Sequence, residues 1–177
     1  MTSEVVTSLH PSMLTNNFHR QINEQPIIFV PQSEAKGIVY SLQCNSEGGA
    51  VRVIRGWKCS NYEALHNEVA AALQFPYYYG ENWDAMDECI TDLDWLPADW
   101  YLINVSGIEQ VLPDDEKHFG IFMGILFDAG KAWGNPETRG LADTEEAVKK
   151  PFNVIVSGTD EGLLRTKKAL GYAIDES

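Results

Sequence analysis

The sequence predicts an α/β fold built on a parallel sheet, and three observations predict it. Strand-like runs stand at 50–55 (AVRVIR), 100–105 (WYLINV) and 151–157 (PFNVIVS). Between and after them lie stretches in which apolar residues recur at three- and four-residue intervals, the period of a half-buried helix. The resulting order, β-α-α-β-α-β-α, joins three strands by helical crossovers, which leave successive strands parallel and pack the helices on the sheet. With 177 residues and 44% apolar content, the chain is long enough for one well-buried core.

The 49 residues ahead of the first of these strands have a different character. Residues 1–25 are polar and rich in Ser, Thr and Asn, the composition of a loosely ordered arm. IIFV (27–30) and GIVYSLQ (37–43) read as two short strands split by the turn-prone PQSEAKG, and NSEGG (45–49) reads as a linker. The chain therefore divides into an N-terminal extension with short strands, 1–49, and a main domain, 50–177.

In the main domain, Ser60 and Glu63 fit a capping box at the start of the first helix. Tyr62, Leu65, Val69 and Leu73 form its buried stripe and Pro76 ends it. His66 stands off that stripe and is expected at the surface. The second helix begins at about Asn82, a suitable N-cap, with Trp83, Met86, Ile90 and Leu93 as its apolar seam. A third helix opens at Pro113–Glu116, with acids where the helix dipole favours them, and turns Phe119, Phe122, Met123, Leu126 and Phe127 inward; Gly134 follows its end. The stretch 135–150 reads as a polar loop with a short helical turn. In the last helix Leu163, Leu164 and Leu170 point inward, and Arg165, Lys167 and Lys168 outward.

The formal net charge is −13, and all of it arises in one third of the chain. No Lys or Arg falls between 59 and 116, a window with 13 acids; the remainder holds 13 acids and 13 bases. Direct binding to nucleic acid is disfavoured, because phosphate needs cations. A basic protein suits the field, although solubility alone also accounts for an acidic composition. Three cysteines, Cys44, Cys59 and Cys89, give neither a disulfide framework nor a zinc site. The chain starts without a basic segment followed by an apolar run, and no stretch has the length of a membrane span. The expectation is a cytoplasmic, reduced protein that neither contacts a membrane nor needs a cofactor.

The acids concentrate at YYGENWDAMDECI (78–90). Asp84 and Glu88 are four apart and Asp84 and Asp87 three apart, so all share the helix face opposite the apolar seam, with Glu81 at the entrance. One acid in the first turn gains from the dipole, but each like-charged pair costs roughly 0.2–0.5 kcal/mol and no Lys or Arg relieves it. Three chemistries use such a cluster. Paired carboxylates do acid–base work, but in a cleft and not on a solvated helix. Carboxylates hold Ca²⁺ or Mg²⁺, but D-x-x-D-E matches no calcium loop. Or they pair with Arg and Lys of a protein, which the adjoining Tyr77, Tyr78 and Tyr79 favour as interface anchors. Elsewhere, VIVSGTDEG has the strand–small loop–helix outline of a phosphate cradle; the same outline results from an ordinary cap by Thr159 or Asp160.

PYYYGENWDAMDECI resembles the signature of the barstar family of ribonuclease inhibitors, through Pro76, Tyr78, Tyr79, Gly80, Glu81, Asn82, Asp84, Ala85 and Cys89. The order of elements over about 50–172 is similar as well. The resemblance implies a three-stranded parallel sheet packed with helices, and an inhibitor, not an enzyme. Such an inhibitor plugs a basic ribonuclease, placing carboxylates where RNA phosphates would sit, with one inhibitor expected per nuclease. It implies that Tyr78, Gly80 and Asn82 are loop contacts, that Asp84 pairs with active-site Arg or Lys, and that Thr91 stands at the far end of the contact. Glu88 occupies the place of the family's main inhibitory Asp and reaches one methylene further. Asp87 replaces a tryptophan of the best-known member and adds charge to the same face. Asp128 on the third helix lies near the position of a further acidic contact. Two alternatives remain: an immunity or interaction protein for a toxin that is not a ribonuclease, and an enzyme acting at the SGTDEG loop.

Overall fold

The structure, a computed structural model, describes residues 26–135 and 150–174. The arm expected at 1–25 and most of the 135–150 loop lie outside the described residues. The elements are β1 (Ile27–Pro31), α1 (Gln32–Cys44), β2 (Gly49–Arg55), α2 (Tyr62–Leu73), α3 (Trp83–Asp92), β3 (Trp100–Ser106), α4 (Glu116–Gly134), β4 (Phe152–Gly158) and α5 (Asp160–Ala169). Short 3-10 turns follow β2 (Gly56–Lys58) and β3 (Ile108–Gln110).

The sheet is parallel throughout, as the alternation of strands and helices predicts, but it has four strands in the order β1-β4-β3-β2 and not three. The fourth is IIFV, assigned above to the extension. It pairs along its whole length with β4, Ile27 opposite Val154 and Pro31 opposite Gly158. The second strand expected in the extension, 37–43, is part of α1. Ala35, Ile38, Val39 and Leu42 lie at i, i+3, i+4 and i+7 and are all buried, a helical stripe that the β-branched pair Ile38–Val39 disguises.

The path of the chain explains why helices cover both faces. From β1 at one edge it crosses to β2 at the other edge through α1, then returns through β3 to β4. Parallel crossovers are right-handed, so reversing the direction of travel puts the later helices on the opposite face. On the larger face, Leu65 and Val69 of α2, Met86 and Ile90 of α3, and Phe119, Phe122 and Leu126 of α4 pack on Ile54, Ile103 and Val154. On the other face, the α1 stripe packs on Val51, Trp100, Leu102 and Ile155. Leu42 is fully buried there. Leu42→Ala is expected to lower unfolding free energy by about 2–5 kcal/mol with a single urea transition, as for a residue of a shared core. A separate early transition would show α1 to be an appendage.

Several local expectations are corrected. The α2 cap is Asn61, whose side chain accepts from Ala64 N at 2.9 Å, and not Ser60. Gly134 is the last residue of α4 and does not follow it. Leu164 is exposed on α5, whereas Arg165 turns inward. Its guanidinium lies 3.6 Å from the Phe119 ring centroid and donates to Val111 O at 2.8 Å and Leu112 O at 2.7 Å. A planar cation that caps stray carbonyls while covering an aromatic face is more stable there than at the surface.

Candidate protein-binding site

Helix α3 is fixed on one side and open on the other. Asn82 caps it, its side chain accepting from Ala85 N at 3.0 Å, and Leu93 ends it in the left-handed region at φ 52°. Met86, Cys89 and Ile90 are buried, and Trp133 of α4 donates its indole N–H to Ile90 O at 3.0 Å, tying down the C-terminal half. Asp84, Asp87 and Glu88 are exposed on the face that this packing leaves free. Thr91 is half-buried, and its hydroxyl donates back to Asp87 O at 2.8 Å and Glu88 O at 3.1 Å.

The preceding loop is ordered by its own side chains. Tyr79 N donates to Pro76 O at 3.0 Å, and Asn82 Nδ2 donates to Gly80 O at 3.1 Å. Tyr62 on α2 reaches across to donate to Glu81 O at 3.1 Å, over a residue whose own φ is +50°. Tyr79 turns inward against Phe75 and His66, while Tyr77 and Tyr78 stand out in solvent, Tyr78 at 65% exposure. Large aromatic faces left in water beside a row of acids are what an interface would desolvate.

The electrostatics point the same way. Asp87 is at the surface, yet packing strips part of its hydration shell and raises its pKa; the carboxylates of Asp128, Asp84 and Glu88 raise it further. Asp128 comes from α4, 41 residues on from Asp87 in the chain, and brings a fourth carboxylate to the cluster. Among the described residues none of these four acids makes an ion pair. The acidic face is thus under mutual repulsion that no ion pair among the described residues relieves.

All seven residues expected in the site therefore lie on this loop and helix: Tyr78, Gly80, Asn82, Asp84, Asp87 and Glu88 exposed and Thr91 half-buried. His66, expected at the surface, is fully buried behind the loop, where burial and then His118 push its pKa down to about 4. The helical stripe of α2 is wide enough to include it, and an aromatic ring seeking packing on both faces follows the stripe's edge inward. The outline of a phosphate cradle at SGTDEG is filled from within: Thr159 caps α5 through Gly162 N at 3.2 Å, and Glu109 accepts from Thr159 N at 3.1 Å. A carboxylate of the chain itself stands where an anionic ligand would. Among the described residues no three metal-ligating side chains gather, and no helix is long and apolar enough to cross a membrane.

The family model described as Barstar (barnase inhibitor) matches residues 49–157, well over half of the chain. The chain belongs to the barstar family. The match opens at the first residue of β2 and includes the whole of the loop and of α3. Members of this family are inhibitors and not enzymes. The chain is also similar to a protein of Bacillus subtilis (strain 168) named "Putative ribonuclease inhibitor YrdF", with 40% identity over 52 residues, 29% of this chain and 57% of that protein. The chain spans little more than half the length of that relative.

Proposed function

We propose that this barstar-family protein inhibits a basic ribonuclease in the cytoplasm, one molecule per nuclease, by occupying the nuclease's active site. The carboxylates of Asp84, Asp87 and Glu88 take the places of RNA phosphates and meet the cations that bind them. Tyr78, Gly80 and Asn82 contact the rim through the loop, and Thr91 closes the far end. The observation that carries this reading is the exposed row of acids, without an ion pair among the described residues, on a helix whose other face is locked into the core, beside two solvent-facing tyrosines. Such an arrangement costs stability in the free protein and is relieved when guanidinium and ammonium groups arrive. In this reading residues 50–177 form the inhibitory domain. Residues 1–49 precede it, contributing through 27–44 the edge strand β1 of the sheet and the helix α1 that covers the face away from α3.

The test is titration of the purified protein against barnase, following RNA cleavage at two ionic strengths. Inhibition that reaches completion at one equivalent and weakens with salt is the expected result. The extra carboxylate at Asp87, its pKa raised by burial and then by its three acidic neighbours, favours a second target, a basic toxin domain that is not a ribonuclease. Absence of inhibition in the titration, with tight binding to such a toxin, is the outcome that selects it.

A further inference from the structure

Helix α4 lies between α3 and α5, and its side away from α3 borders an open groove. The groove has a volume of about 630 Å³, with Glu116 and Gly120 of α4 on one wall and Glu161, Leu164, Arg165 and Lys168 of α5 on the other. Two features of this face go unused within the chain. Gly120 and Gly124 stand one helical turn apart on α4, and a Cβ built at either would project into open space. Glycine weakens the interior of a helix relative to alanine, and no neighbour among the described residues demands its small size here. Across the groove from Gly120, Leu164 sits mid-way along α5 with 37% of its surface exposed. A leucine left in water opposite a stretch of bare backbone offers a knob and a hollow on the same face.

The charges on this face are sorted by sign. Glu161, Leu164 and Lys168 fall at i, i+3 and i+7, so they form one stripe of α5, acid at one end, apolar in the middle and basic at the other. All three are exposed, and neither Glu161 nor Lys168 makes an ion pair among the described residues. The helix dipole favours the sorting of the charges but does not account for the leucine between them. A stripe in this order is complementary to itself when turned end for end. We propose that the α4–α5 groove is the docking surface for a second copy of this chain. In the resulting two-fold dimer the α5 helices run antiparallel and the leucines meet at the axis. Glu161 of each copy then faces Lys168 of the other, over the bare backbone at Gly120 and Gly124. A formal net charge of −13 makes copies repel, but its excess of acids lies between 59 and 116, and α5 carries two acids and three bases. The acidic row of α3 lies on the opposite side of α4, so the dimer leaves that row free on both copies. The proposal does not depend on the inhibitor reading above.

The test is sedimentation velocity of the full chain over a range of concentrations, where a reversible equilibrium between monomer and dimer is expected. Leu164→Asp should raise the dimer dissociation constant at least about 10-fold, while urea unfolding of the dilute protein shows that the fold is retained. Lys168→Glu brings two acids together at each end of the contact and should weaken the dimer to a similar degree. Adding Glu161→Lys to that variant should restore it, because exchanging both signs preserves a two-fold contact. A monomer at every concentration overturns the proposal, and does so equally if another segment of this chain fills the groove. A dimer that tolerates Leu164→Asp is formed through a different surface and overturns it as well. Species that grow beyond the dimer do the same, since a two-fold contact closes on itself. A double variant no better than Lys168→Glu alone overturns the antiparallel pairing of the α5 helices. None of these outcomes turns on whether the chain binds barnase.

Discussion

Asp84→Ala and Glu88→Ala are each expected to weaken barnase binding by about 10- to 100-fold, the loss that follows from removing a hydrogen bond to a charged group in a desolvated contact. Glu34→Ala, which removes an equally exposed acid from the first turn of α1 on the far side of the sheet, is the control and should leave affinity unchanged. The contrast separates a local contact from a general effect of net charge, which all three substitutions reduce equally. Raising the salt concentration should shrink the losses at Asp84 and Glu88, because part of each is long-range attraction. Asp87 adds a pH signature. Its pKa is raised in the free protein, by burial and by its acidic neighbours, and a partner cation would lower it again. Binding then releases a proton, so affinity should fall as pH is lowered through the titration of Asp87, and Asp87→Asn should flatten that dependence. Isothermal titration in two buffers of different ionisation enthalpy measures the proton release. Equal losses at Asp84, Glu88 and Glu34 would remove the site from α3.

The second large effect is loss of stability in acid, traced to His66. An imidazole ordinarily titrates near 6.5; in the folded chain, burial and His118 hold that of His66 at about 4. Between these values the unfolded chain binds a proton that the folded chain refuses, so stability falls as pH is lowered through this window. The loss attributable to His66 is on the order of 2 kcal/mol between pH 7 and pH 5. The titratable groups that face its ring among the described residues are Tyr62 on α2, Tyr79 on the loop and His118 on α4, and His118 is itself engaged with Asp115 at 2.6 Å. Among the described residues no carboxylate is hydrogen-bonded or ion-paired to the His66 ring. Glu68 acts in the same direction. Burial opposes its ionisation, but hydrogen bonds from the side chain and backbone of Arg55 outweigh burial and lower its pKa, so its contribution too is lost in acid. Asp87, with a raised pKa, acts in the opposite direction. Urea unfolding of the unaltered chain and of His66→Gln at pH 7 and pH 5 isolates the part due to His66. The variant should show a pH dependence weaker by about 2 kcal/mol, and equal dependence in both would show that the proton binds elsewhere.

The chain by itself determined the class of the fold, the inhibitory signature and the face of α3. Each of these rests on short-range order: strand runs bounded by turns, an apolar seam at helical spacing, carboxylates three and four residues apart. Such patterns act through neighbours along the chain and can be read without knowing what lies across the core. Only the tertiary structure decided the rest. Whether IIFV pairs with β4 depends on a strand more than 120 residues later, whose edge is free to accept it. Whether GIVYSLQ is strand or helix depends on the sheet face that its stripe finds, and burial on that face overrides the β preference of Ile38 and Val39. Asp128 joins Asp87 because α4 packs beside α3, and His66 is interior because Tyr79 folds back over it. Contacts between distant residues carry no local periodicity. Their free energy appears only once the chain has closed the loops between them, and that is the part a one-dimensional pattern cannot hold.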